Sequence, residues 1–142
     1  MRTTALIWIS LLALAACGEQ EKVDECNALV GVINEGIDKV QKITAASPDG
    51  GTAVNDLRAL ADEMEAIAKK AEAAPLTIGE LQKLAADYRA MATEVAAAAR
   101  ELSAAVDNVD GEKMKKAQER IVKAVQKEDP LVESINRFCQ TP

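Results

Sequence analysis

Reactive side chains are sparse in this sequence, and few are spaced for catalysis. Histidine, the usual general base near neutral pH, is absent. Ser47, Ser103 and Ser134 lie outside any G-x-S-x-G nucleophile elbow. Met64, Met91 and Met114 have neither a histidine partner nor a CxxCH attachment motif, so they read as core filler rather than haem ligands. The stretch Asp107-Asn108-Val109-Asp110-Gly111-Glu112 has the composition of a calcium loop but lacks the alternating oxygen ligands of a twelve-residue EF-hand. Asp110 fits a helix N-cap better. The carboxylate pairs Asp62/Glu65 and Asp24/Glu25 read as ordinary exposed helical positions. These readings predict a protein that is not an enzyme and that holds no metal and no cofactor. The chemistry that remains lies in three cysteines, Cys17, Cys26 and Cys139, and in a run of basic residues near the C-terminus.

The segment around Cys17 is the most specific in the chain. Met1-Arg2-Thr3-Thr4 carries one positive charge, and Ala5 to Ala16 is a charge-free apolar run. Twelve such residues are too few to span a bilayer as a helix, which takes about 20, but they suit a secretory leader. Leu14-Ala15-Ala16-Cys17 resembles the lipobox of bacterial lipoproteins: an aliphatic residue, two small residues and a cysteine. The resemblance covers residues 1–17 only. It implies that residues 1–16 are a signal peptide cleaved before Cys17, that the Cys17 thiol receives a diacylglyceryl group, and that the new amine is acylated. Multiple acyl chains matter because one alone gives marginal membrane binding. Gly18, rather than Asp, after the cysteine resembles an outer-membrane address. The resemblance therefore implies a lipid-anchored envelope protein at the outer membrane, facing the periplasm.

Acylation of Cys17 leaves Cys26 and Cys139. In an oxidising compartment an even pair reads as a disulfide, the alternative being two separate buried thiols. Loss of Arg2 with the leader leaves 16 basic against 23 acidic side chains, which moves the net charge from −6 to −7. So acidic a chain predicts no nucleic-acid partner. The lone Trp8 also leaves with the leader, and Tyr88 and Phe138 are then the only aromatic residues. The core must be aliphatic and rich in alanine, which leaves little room for a haem, flavin or lipid cavity.

Apolar residues recur at helical spacing in four segments. The first covers about residues 21–45, with Cys26, Val30, Ile33, Ile37 and Val40 stepping by four and three, and Ser47-Pro48-Asp49-Gly50-Gly51 ends it. The second covers about 52–73 and stops at Pro75. The third, about 77–106, opens on Thr77-Ile78-Gly79-Glu80. That is a capping-box pattern, with Thr77 accepting from the Glu80 amide and Glu80 reaching back, and Leu76 and Leu81 form a hydrophobic staple. The fourth starts near Asp110 and is expected to kink or break at Asp129-Pro130, then resume through Leu131, Ile135 and Phe138. No segment reads as a strand.

Short connections between such helices predict an all-α fold, an up-down-up-down antiparallel four-helix bundle. The expected organisation is a signal peptide at 1–16, a lipidated N-terminus and short tether at 17–25, the bundle at 26–139 and a frayed tail at 140–142. In that topology Cys26 and Cys139 fall at one end, beside the membrane, and the turns near Asp49 and Asp110 point away.

Lys113, Lys116, Arg120, Lys123 and Lys127 step by three and four and form one basic stripe on the fourth helix. It is a candidate surface for an anion or a partner. The plainer reading is a solvated face that pairs with Asp24, Glu35 and Asp38 of the first helix. The function expected is binding of another envelope component, a protein or a glycolipid. The alternative is a carrier of a small ligand or glycolipid with its site between helices. Neither partner nor oligomeric state is written in the sequence.

Overall fold

The computed structural model describes residues 15–46 and 53–141. The leader up to residue 14 and the expected Ser47–Gly51 turn lie outside the described residues. All regular structure among the described residues is helical: α1 (Ala15–Ala46), α2 (Val54–Ala73), α3 (Gly79–Asp107), α4 (Gly111–Val125) and α5 (Glu128–Gln140). No helix among them is long and apolar enough to cross a membrane.

The helices pack as a bundle around α3. Its buried residues include Leu81, Tyr88, Met91, Val95, Ala98, Ala99 and Leu102, and it touches each of the other four helices. Alanine at Ala92, Ala98 and Ala99, all fully buried, lets neighbouring backbones approach closely. Most of the core is one cluster, in which Leu29 and Ile33 of α1 meet Met64 and Ile67 of α2, Tyr88 and Val95 of α3, and Ile135 of α5. A smaller cluster, Leu57, Leu102 and Ala117 flanked by Met114 and Ile121, fills the other end between α2, α3 and α4.

Four details depart from the sequence expectations. The buried line on α1 runs Cys26, Leu29, Ile33, Gly36, so Val30, Ile37 and Val40 are rotated to the flank and only half-buried. Gly36 sits at the centre because a Cβ there would strike Ile67. No α1 residue lies within 8 Å (Cα to Cα) of α4, so α1 meets the C-terminal arm only through α5. The break in the fourth segment falls at Gln126-Lys127, upstream of Asp129-Pro130. Pro130 occupies the first turn of α5, where a missing amide costs no helical bond. Lastly, α3 has Ile78 at its N-cap with no side-chain bond, so the Thr77/Glu80 capping box does not form.

Candidate functional site

The cap that Thr77 was expected to provide comes from another helix. Glu25 of α1 accepts the Thr77 amide on Oε1 (2.8 Å), the Ile78 amide on Oε2 (3.1 Å) and the Thr77 hydroxyl on Oε1 (2.5 Å). An anionic acceptor at a helix N-terminus satisfies orphan amides and complements the helix dipole. Glu25 is buried, which corrects its reading as an exposed position. The bond from Thr77 holds its carboxyl below the ordinary glutamate range against the opposing push of burial, and the Ile78 and Thr77 amides add to the effect.

Next to it, Cys26 and Cys139 are bonded, with Cα atoms 5.8 Å apart although they lie 113 positions apart in sequence. Lys22 completes this end. Its ammonium donates to the Thr141 carbonyl (2.5 Å) and lies 4.6 Å from the centre of the Phe138 ring. Gln20, Glu21, Asp24, Glu25, Pro75 and Thr77 line an acidic depression of about 520 Å³ beside the turn.

At the other end Arg58, near the start of α2, pairs with Asp107, the last residue of α3 (2.6 Å). Asp110 caps α4 by accepting the Lys113 amide (3.0 Å), which holds its carboxyl below the ordinary range. That cap follows the sequence reading. The α3–α4 turn also contains Val109 at φ 52, left-handed backbone that β-branched residues rarely adopt.

The basic stripe does not meet α1. Arg120 pairs with Glu94 (2.8 Å) and Glu101 of α3, Lys116 with Glu112 and Lys113 with Asp110. The acids of α1 look elsewhere: Glu35 binds Lys70 and Lys39, and Asp24 accepts from Gln20. The cause is the absence of any approach between α1 and α4. Lys123 and Lys127 are exposed on the same stripe.

A second groove, of about 650 Å³, runs between α1 and α5. Ile37 and Val132 supply its apolar lining, and Glu128, Asp129, Glu133 and Arg137 its charge. Glu128 reaches inward to accept the hydroxyl of buried Tyr88 (3.1 Å), a bond that, after burial itself, raises the phenol well above its ordinary range. Sequence reasoning did not single out this groove. Its signal was present in Val132, an apolar residue beside, rather than on, the Leu131-Ile135-Phe138 face.

None of these places gathers a nucleophile with a base, and among the described residues no three metal-ligating side chains converge. What these places present is apolar surface edged with charge. No protein-family model, no curated protein and no solved structure matches the chain.

Proposed function

We propose that the protein is a lipid-anchored, non-enzymatic helical scaffold of the bacterial envelope that binds another envelope component. The observation that carries this reading is the run from the lipobox-like Leu14-Ala15-Ala16-Cys17 straight into α1. The α1 helix begins at Ala15 and continues through Cys26, so the acylated residue stands on the same helix as the disulfide. The two cysteines are nine positions apart, roughly 13 Å along a helix at 1.5 Å per residue. A rigid stalk of that length keeps the Cys26–Cys139 end at the bilayer and turns the α3–α4 turn towards the periplasm.

The arrangement proposed is the up-down-up-down bundle. It is supported by antiparallel pairing of α2 and α3: Arg58, near the start of α2, meets Asp107 at the end of α3, and Glu72, at the end of α2, meets Arg89 in the first half of α3 (2.6 Å). Binding to a protein is favoured over carriage of a phosphate-bearing glycolipid, because the interhelical groove presents three carboxylates and one guanidinium.

The test is capture from detergent-solubilised envelopes with the lipidated protein and with its Cys17→Ser form. Enrichment of one envelope component over a surface-scrambled control is the expected result. If neither form enriches any, the reading fails. Metabolic labelling with a fatty-acid analogue should mark the parent protein and not Cys17→Ser; labelling of both would remove the anchor from the proposal.

A further inference from the structure

We infer that the seam between α1 and the α4–α5 arm is a docking groove for one amphipathic helix of a partner protein, apolar on one face and basic along its edges. The inference rests on the scaffold reading above and gives its partner a chemistry. One wall is a single ridge that crosses the α4–α5 join. Val122, Val125, Asp129, Val132 and Asn136 step by three, four, three and four. Asp129, Val132 and Asn136 line the groove, and Gln126 (φ −58, ψ −17) and Lys127 (φ −83, ψ −14) keep right-handed backbone through the break, which carries the same spacing back to Val122 and Val125. Val122 and Val125 are 56% and 44% exposed, unusual for adjacent apolar residues on so polar a helix.

The other wall is the flank of α1 left half-buried when Gly36 took the centre, with Ile37 in the groove itself and Val40 one turn further on. No α1 residue lies within 8 Å (Cα to Cα) of α4, so among the described residues α1 does not close that side of the distal half. From Val122 to Asn136 the ridge spans roughly 21 Å, the length of a helix of about 14 residues.

Charge selects the occupant. Asp129 makes no ion pair among the described residues, Glu133 holds Arg137 (2.7 Å), and Glu128 lies at the same rim. Lysine or arginine flanking an apolar helical face would meet these carboxylates, the familiar helix-in-groove mode with charge setting the register. A second copy of this chain is disfavoured, since a two-fold contact would set the same carboxylates against each other.

The unlipidated protein starting at Gly18, with its bridge intact, gives a clean test because no tryptophan follows Trp8. The probe is a synthetic amphipathic helical peptide with leucines at i, i+3, i+4 and i+7, lysines on both flanks and one tryptophan among the leucines. A glutamate-flanked version and a shuffled lysine version serve as comparators. Tryptophan emission should shift to the blue and saturate, with the lysine-flanked helix binding at least tenfold tighter than either comparator. Val132→Asp should weaken it at least tenfold, and Asp129→Lys with Glu133→Lys should reverse the preference towards the glutamate-flanked peptide.

Equal binding of the two flanked peptides, or indifference to Val132→Asp, would overturn the inference. So would self-association in sedimentation that Val132→Asp abolishes, because the occupant would then be a second copy. Capture from envelopes separates the two readings. A component retained equally by Val132→Asp leaves the scaffold standing and removes the groove. Failed capture by the parent protein, while the peptides still discriminate, supports the groove and counts against the scaffold alone.

Discussion

At the Cys26–Cys139 end of the molecule, three unlike fastenings converge: a covalent bridge, the Glu25 carboxylate clamped on two amides and a hydroxyl, and Lys22 laid over Phe138 with its tip on Thr141. At the Val109 end there are exposed ion pairs such as Arg58–Asp107 and Lys116–Glu112, one aspartate cap and a small apolar cluster, and no α1 residue comes within 8 Å of α4. Exposed pairs contribute little to stability, about 0–1 kcal/mol. The contrast teaches that the chain places rigidity where α1 leaves for Cys17 and leaves adaptability at the far side. Under the proposed function, that is what an anchored binder needs: a fixed base and an unsealed face.

Cutting the bridge should change the comparison most. A closed loop of 113 residues is worth about 4–5 kcal/mol in the chain-entropy account. Replacing both Cys26 and Cys139 with Ser should lower Tm by about 15 °C. Hydrogen exchange should show α1 and α5 losing protection while α2 and α3, the most extensively packed pair, keep theirs. Uniform loss of protection across all helices would mean that the two ends are one cooperative unit.

Core truncation asks the same question without touching covalent structure. Leu29, fully buried in the main cluster, should cost about 4 kcal/mol as Leu29→Ala. Leu57, in the small distal cluster, should cost about 2–3 kcal/mol as Leu57→Ala, since fewer fixed neighbours surround the cavity and the site can relax. Chemical denaturation measures both, and equal costs would erase the distinction between the ends.

How much of this was legible depends on range. Asp110 capping α4 is a local signal, since donor and acceptor lie three residues apart, and it was read correctly. The all-helical fold followed from spacing. The Cys26–Cys139 pair needed only the removal of Cys17 from the count. Glu25 was not legible: its partners lie 52 and 53 positions away, and the local pattern at Thr77 offered a satisfactory but wrong cap. Nor was the register of α1. Its apolar residues cover more than one face, and periodicity cannot tell that Gly36, without a side chain, belongs against Ile67. Periodicity finds faces, not neighbours, which is why the stripe on α4 was paired with the wrong helix.

Gly36→Ala tests that register. Alanine is the better helix former by about 1 kcal/mol, yet its Cβ would enter the space of Ile67, which is buried and cannot swing away. Overpacking of this kind costs about 1–3 kcal/mol, so a net loss of about 1 kcal/mol is expected in denaturant titration. Gly36→Ala with Ile67→Val should recover part of it. A stabilised Gly36→Ala would place α1 in the Val30-Ile37 register instead and close the seam.

Glu25 gives the fastened end a pH dependence. Its carboxyl is held below the ordinary glutamate value in the fold, so its contribution is fully present above that value and is lost as pH falls through the lowered one. Glu25→Gln should lower Tm at neutral pH by on the order of 5 °C, as loss of a helix cap does, and should flatten the acid limb of the stability profile below about pH 4.5. An unchanged acid limb would assign the acid sensitivity to other carboxylates, of which Glu35 and Asp110 are also held low.

The smallest effect belongs to the loose end and has the opposite sign. The α3 helix finishes with the Asp110 amide donating to the Ala105 carbonyl (2.9 Å) and the Val109 amide to Val106 (3.1 Å), a closing motif whose left-handed residue is usually glycine. Here it is Val109, β-branched, at φ 52 and 86% exposed, so the strain is not offset by burial. A left-handed L-residue costs about 1–2 kcal/mol, and glycine returns part of that relief through the entropy of its unfolded chain. Val109→Gly should therefore stabilise the protein by about 0.5–1 kcal/mol, read as a rise in denaturation midpoint with an unchanged slope. If instead the variant is less stable, the entropy that glycine adds to the unfolded chain outweighs the strain it relieves, and the left-handed residue at this end costs less than its β-branch implies.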